Sequence, residues 1–302
     1  MNVCAIALLL ALTLIALAKL IFDRLVVGRM MVWLVPLAAY VVMHFASLEL
    51  PPLLRMVLLC GVLMAGMKWI VYSEWRRTCG QALPWGRWLC FGLLWFGMEP
   101  KAWVGKRRSL QWKPDVLWGE ACCLTGGILV FLMSNYEVTE LLPLFIAMSV
   151  GFHFGILRLL TAFWRMQGFP VRALFRNPFL SRGFGDFWGK RWNLAYSQMM
   201  ARAVKRPIQK KHGAKVATFS VFVISGLLHE LAITVPVQAG YGLPTCFFIV
   251  QGILTTSEKR ESLTNALFCG VSLIIGIHIL FPAAFVEAVI IPARDVLNLL
   301  IL

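Results

Sequence analysis

Charge is scarce in this chain of 302 residues: Asp, Glu, Lys and Arg make up 14% of it, and the acids number only 14. A soluble domain carries about 25% charged residues. With 60% hydrophobic residues and a mean hydropathy of +0.77, there is more apolar side chain than a soluble fold of this length can bury. Several chemical signatures are missing as well. The eight cysteines stand scattered at 4, 60, 79, 90, 122, 123, 246 and 269 with no C-x-x-C pair, so neither a zinc site nor a disulfide framework is indicated. No G-x-x-x-x-G-K-[ST] loop, G-x-S-x-G elbow or Gly-rich dinucleotide turn occurs, which removes the usual soluble cofactor chemistries. His229-Glu230 opens like a metalloprotease helix, but Ile233 stands where a second histidine is required. No internal repeat is visible, which weakens an inverted-repeat transporter.

Long apolar runs are present instead. Runs of roughly 20 residues, each able to cross a hydrocarbon core of about 30 Å, fall at 3–21, 25–47, 53–72, 116–133, 141–162, 216–236, 243–257 and 266–291. A ninth apolar piece, 87–98, is too short to span and reads as re-entrant or interfacial. Met1 to Val3 carry no Lys or Arg and no small-residue cleavage site follows, so the first run reads as a retained helix rather than a secretion signal. The expectation is an all-α polytopic bundle of about eight spans plus a re-entrant segment, forming one integral membrane domain over 1–302.

Charge placement sets the orientation, because Lys and Arg near span ends stay cytoplasmic. One side holds Lys19, Arg24 and Arg29, then Arg76 and Arg77, the basic stretch 101–113, the long segment 165–215, and Lys259 with Arg260. The other holds Glu49 with a single Arg55, the acidic link 134–140 and the uncharged 236–242; this puts both termini on the non-cytoplasmic face, with Arg294 as an exception.

The net charge of +15 concentrates in 165–215, where twelve Lys or Arg accompany one acid, Asp186. Such a segment fits anionic lipid headgroups at about 1 kcal/mol per charge. It equally fits a polyanionic substrate such as the phosphates of coenzyme A, for which Arg forks are suited. Basic cytoplasmic loops are general in membrane proteins and no nucleic-acid module fits between these spans, so no nucleic-acid partner is expected. No obligate protein partner is evident either.

Within that segment lies RNPFLSRGFGDFWGKRWN, residues 176–193, and 36 residues after Asn193 comes His229 inside an apolar run. Trp188, Trp192, Ala195, Met199 and Ala203 recur at helical spacing, predicting an amphipathic helix after Gly185 with Lys190, Arg191 and Arg202 toward the headgroups. Trp188 and Trp192 also fit ordinary interface anchors. His44, His153, His229 and His278 all lie in or near spans, where a histidine is often only a hydrogen-bonding helix contact. His229 stands apart by depth: thirteen residues beyond Val216, at about 1.5 Å each, carry it roughly 20 Å into the span. Ser225, at the i−4 position, is placed for its hydroxyl to orient the ring. Glu230 is offset about 100° from the His229 face and reads as structural or gating.

The run NPFLSRGFGDFWGKRWN, followed by an apolar helix holding SGLLHE (225–230), resembles the membrane-bound O-acyltransferase superfamily, most closely its wax synthase-like branch, over about residues 165–260. The resemblance implies a helical bundle around a chamber, with an intramembrane histidine and an upstream Asn or Asp as the catalytic pair, which by position are His229 and Asn193. It further implies site-shaping or substrate-binding roles for Asp186, Trp188 and Arg191, to which Trp192 and Ser225 are added as neighbours. The implied reaction transfers an acyl group from acyl-CoA to the hydroxyl of a lipophilic alcohol, with acyl-CoA as co-substrate, membrane lipid around the chamber, no metal and no other cofactor. Acceptors other than a fatty alcohol are a sterol, a terpenoid or a lysolipid. A polytopic lipid or solute transporter and a non-catalytic scaffold fit the same spans. Endoplasmic reticulum and bacterial inner membrane both suit such a protein.

Overall fold

Proline and glycine at helix ends explain much of the segmentation of this chain. The structure, a computed structural model, describes residues 3–25, 27–107, 109–136 and 140–301. The leading Met1 and Asn2, Arg108 of the basic stretch 101–113 and residues 137–139 of the acidic link lie outside the described residues.

Helix α1 (Val3–Phe22) is followed by α2 (Arg29–Ala46) and α3 (Pro52–Cys79). Pro52 opens α3, where a missing N–H costs nothing, and Gly80 closes it in the left-handed region (φ 66°). The short apolar piece forms α4 (Trp85–Leu93), nine residues. One face of it packs against α1, Trp88 Nε1 donating to the Ile15 carbonyl at 2.8 Å. Next come α5 (Lys113–Asn135) and α6 (Leu141–Met166). These two approach closely, since a Cβ on Gly126 would lie 2.4 Å from the Gly151 nitrogen. A two-turn helix α7 (184–191), the long α8 (Leu194–Val237), α9 (Leu243–Ser257), α10 (Leu263–Leu280) and α11 (283–301) complete the chain. Among the described residues seven helices are long and apolar enough to cross a membrane, and there is no strand. The all-α polytopic bundle is as the sequence indicates.

Three expectations change in detail. The run 243–257 forms a helix of 15 residues, about 22 Å long and short of a 30 Å core. The run 266–291 is two helices, because Pro282 supplies no N–H and biases Phe281 to an extended conformation. The amphipathic helix predicted after Gly185 is interrupted at Trp192 and Asn193, where Asn193 takes left-handed angles (φ 39°, ψ 63°). Its apolar stripe faces inward, with Ala195 and Met199 buried in the main core.

Helix α8 is not one rod. Gly213 adopts φ 80°, and the Tyr196 hydroxyl meets the Ser225 hydroxyl at 2.9 Å. In a straight helix, 29 residues at about 1.5 Å each would hold them over 40 Å apart. The chain therefore doubles back at Gly213, laying the arm 194–212 against the arm 214–237. The two charges that disturbed the orientation pattern are accounted for by burial: Arg55 is 2% exposed and Arg294 7% exposed, so neither is a loop charge.

Candidate active site

The doubled α8 and the helices around it enclose a cavity of about 270 Å³ that brings together His229, Asn193, Trp188, Trp192 and Ser225. These are five of the seven residues the sequence singles out. Asp186 and Arg191 stand behind the wall, where they shape the segment that carries the tryptophans.

His229 sits on the distal arm of α8, half-buried, with Nδ1 2.7 Å from the main-chain oxygen of Ser225. A carbonyl oxygen only accepts, so Nδ1 carries the hydrogen and Nε2 keeps the lone pair that can take a proton. The predicted role of the Ser225 hydroxyl is corrected here. That hydroxyl donates to the Val221 carbonyl at 2.7 Å and accepts from Tyr196, while the peptide carbonyl orients the imidazole. The Phe248 ring lies against the imidazole, centroids 4.2 Å apart. It is carried by α9, which can come this close because Gly226 lacks a side chain: a Cβ there would stand 2.8 Å from Thr245 Cα.

Directly after His229 the helix widens into a π-helical turn over Glu230–Thr234. Two residues from the first spans brace this turn and the helix end that follows it. Tyr40 donates to the Leu231 carbonyl at 2.6 Å, and Arg55 donates to the Pro236 carbonyl at 3.1 Å while its other amino group meets His44 Nδ1 at 2.9 Å. Glu230 points elsewhere, accepting from the Thr245 amide at 3.0 Å, the Thr245 hydroxyl at 2.8 Å and the Thr234 hydroxyl at 2.5 Å. A carboxylate on the first turn of α9 is well placed against the helix dipole, which fits the structural one of the two roles expected of it, structural or gating.

Asn193 is the N-cap of α8. Its Oδ1 accepts the Tyr196 amide at 3.2 Å, which fixes the orientation of the side-chain amide and leaves Nδ2 as the donor it offers a ligand. Asparagine is one of few residues that tolerate the left-handed angles found here. Trp188 hangs its Nε1 on Gln251 Oε1 at 3.2 Å and packs edge-on to Phe222 and Phe247, while Trp192 stacks on Phe187 at 5.6 Å.

The segment behind these residues is held by charge. Arg191 Nε pairs with Asp186 at 2.6 Å, and the Arg182 amide also donates to Asp186 at 3.1 Å. Burial pushes the Asp186 carboxyl up, but Arg191, the Arg182 amide and Lys190 outweigh it and hold the carboxyl below its ordinary value. Glu258 accepts the amides of Phe184 and Gly185 at 3.1 and 2.8 Å, capping α7, and any side chain at Gly183 would collide with that carboxylate. Glu258, Gln251, Phe248, Tyr40 and Arg55 carry no sequence signal of a place at the site, because nothing in their local sequence links them to His229. Tyr196, three positions after Asn193 and hence at its capped amide, carried a readable signal.

Residues 171–250 match the Membrane bound O-acyl transferase family, a stretch that contains both the DFWGKRWN segment and His229. The chain is 26% identical over 234 residues to Probable long-chain-alcohol O-fatty-acyltransferase 1 of Arabidopsis thaliana, covering 70% of this chain and 68% of that relative. It is 28% identical over 166 residues to the long-chain-alcohol O-fatty-acyltransferase of Simmondsia chinensis (50% of this chain, 46% of the relative). It is also 28% identical over 147 residues to Acyl-CoA–sterol O-acyltransferase 1 of Arabidopsis thaliana (43% and 42%). The last two alignments span less than half the length of those relatives. The resemblance drawn from the two motifs is borne out.

Proposed function

We propose that this chain, a membrane-bound O-acyltransferase of the wax synthase-like branch, moves a fatty acyl group from acyl-CoA to the hydroxyl of a lipophilic alcohol, with His229 as general base. The observation that carries the reading is His229 itself. Its Nδ1 is tied to the Ser225 carbonyl, its Nε2 keeps a lone pair, and it shares one cavity with Asn193.

In the proposed reaction Nε2 of His229 takes the proton of the acceptor hydroxyl as its oxygen attacks the thioester carbonyl. The tetrahedral intermediate collapses with cleavage of the carbon–sulfur bond, and the proton passes from His229 to the departing coenzyme A thiolate. Nδ2 of Asn193 is the donor we assign to the developing oxyanion. Trp188, Trp192 and Phe248 offer the apolar walls for acyl chain and alcohol, and Lys205, which also lines the cavity, is suited to a phosphate of the nucleotide end. The reaction calls for acyl-CoA as co-substrate and for no metal. Asp186 and Arg191 act by holding the segment in place. Acceptor and donor reach the site from lipid and from the basic cytoplasmic face, in an endoplasmic reticulum or a bacterial inner membrane.

The test is an acyltransferase assay on purified protein in nanodiscs, offering labelled palmitoyl-CoA or acetyl-CoA with fatty alcohols, sterols and lysolipids. Ester formed by the wild type and lost in a folded His229→Ala variant supports the reading and identifies the acceptor. A well-folded wild type that forms no ester with any pair overturns it and directs attention to transport.

A further inference from the structure

Behind the tryptophan wall of the candidate site lies a second, separate cavity of about 200 Å³. It opens between α5, α6 and the strap 173–179. Its body is apolar, formed by residues such as Trp118, Val150, Phe154 and Phe179, and four polar residues interrupt it: Cys122, His153, Arg158 and Asn177.

His153 has a buried Nδ1 with no hydrogen-bond partner among the described residues. A shielded imidazole nitrogen without a partner is costly; it is closed off from the void as well as from solvent, and a turn of the ring into the cavity that the residue lines brings it to a ligand atom. The residue lies on a π-helical stretch, Val150–Ile156, a departure from regular helix that is frequent at functional sites. Arg158, five residues further along α6, supplies charge. It pairs through Nε with Asp115 at 2.6 Å, but Arg165 pairs with the same carboxylate at 2.5 Å. Two guanidinium groups thus share one buried anion, and among the described residues that line the cavity there is no carboxylate. The cavity end is cationic while its body is apolar.

We propose that this cavity binds a single-chain amphiphile with an anionic head, a long-chain carboxylate, its head on Arg158 and His153 and its chain along Val150 and Phe154. The remaining guanidinium N–H groups of Arg158 match a carboxylate's paired oxygens. A cavity of about 200 Å³ takes the head and part of one slender chain, the rest of which runs out past the exposed Trp118 and Phe179, and it has no room for the two chains of a diacyl lipid. The site adjoins the candidate active site. The His153 ring lies 5.8 Å from that of Trp192 and 4.9 Å from that of Phe175, which in turn packs on Trp192 at 5.0 Å. An occupant therefore presses on the wall that Trp192 presents to His229.

The experiment is photolabelling of the full chain in nanodiscs with a diazirine-bearing palmitate, mapped by peptide mass spectrometry. Because it reads no ester formation, its outcome is independent of the acyltransfer reading. The expected adducts fall on α5 and α6 around Cys122 and His153. Unlabelled palmitate suppresses them, and methyl palmitate, lacking the charge, and a diacyl phosphatidate do not. Arg158→Leu lowers labelling about tenfold, the usual effect of losing a charge-assisted hydrogen bond. Val150→Phe, which fills the cavity without touching the ion pairs, abolishes labelling in protein that still elutes as a folded monodisperse species. Labelling unchanged in both variants, or equal competition by methyl palmitate, overturns the proposal. Stronger competition by palmitoyl-CoA than by palmitate also overturns it, making the cavity an arm of the acyl-donor site. Stronger competition by phosphatidate makes it a phospholipid site instead.

Discussion

The peptide oxygen of Ser225 accepts from Nδ1 of His229 at 2.7 Å, so the backbone of the helix, one turn back, sets the tautomer of the candidate base. A backbone acceptor cannot be removed by changing a side chain. His229→Ala therefore removes the base and leaves its setting intact. Ester formation is expected to fall between about 10²- and 10⁴-fold with little change in melting temperature, checked by initial rates and thermal denaturation in the same nanodiscs.

Ser225→Ala separates the two functions of that residue. It keeps the carbonyl and loses the hydroxyl that joins Tyr196 to Val221. Stability should drop by about 1–3 kcal/mol, because two hydrogen bonds go and the Tyr196 hydroxyl loses its acceptor, with kcat reduced far less than in His229→Ala. A loss of kcat as deep as that of His229→Ala would return the orienting role to the hydroxyl.

Asn193 combines a cap, a left-handed backbone and a candidate oxyanion donor. Gly tolerates the backbone and costs a cap only a few tenths of a kcal/mol, whereas Ala forfeits both the cap and the left-handed preference. Asn193→Gly should melt near the wild type yet lose most activity, and Asn193→Ala should lose both. Retained activity in a stable Asn193→Gly protein would leave only a structural part for this residue.

Gly226→Val tests the close approach of α8 and α9. The added side chain meets Thr245 Cα, which would be 2.8 Å from its Cβ, and pushes α9 away with Phe248. Overpacking of this kind costs about 1–3 kcal/mol. Activity should fall together with stability, and mutation of the exposed neighbour Leu227 to Val should do neither.

Acid should loosen the segment that carries Trp188 and Trp192. The Asp186 carboxyl titrates below its ordinary value of 3.8 in the folded protein. Its contribution to stability is therefore complete above the unfolded-state value and is lost as pH falls through the folded one. Asp186→Asn should flatten the acid limb of a melting-temperature profile taken from about pH 6 downward. An unchanged acid limb in this variant would assign the limb to other carboxylates.

Much of this molecule is legible in the chain itself. Hydropathy and run length determine that it is a helical membrane protein, because a backbone in lipid must satisfy its own hydrogen bonds. Local signals also mark Asn193, Trp188, Trp192 and His229, since an imidazole at that depth and a polar, aromatic strap beside it have no cheap place in hydrocarbon. Only the tertiary structure decided how they meet. A single left-handed glycine, Gly213, folds one apparent span back on itself and brings Tyr196 to Ser225 across 29 residues. The partners that complete the site come from other elements, Tyr40 from α2, Arg55 from α3, Phe248 from α9 and Glu258 from just past the end of α9. Their contacts depend on how closely glycines such as Gly226 let backbones approach, and hydropathy and helical periodicity do not encode such distances. The same holds for Arg55: as a sequence character it is a loop charge on the wrong side, and in the fold it is a buried donor bracing the turn after His229.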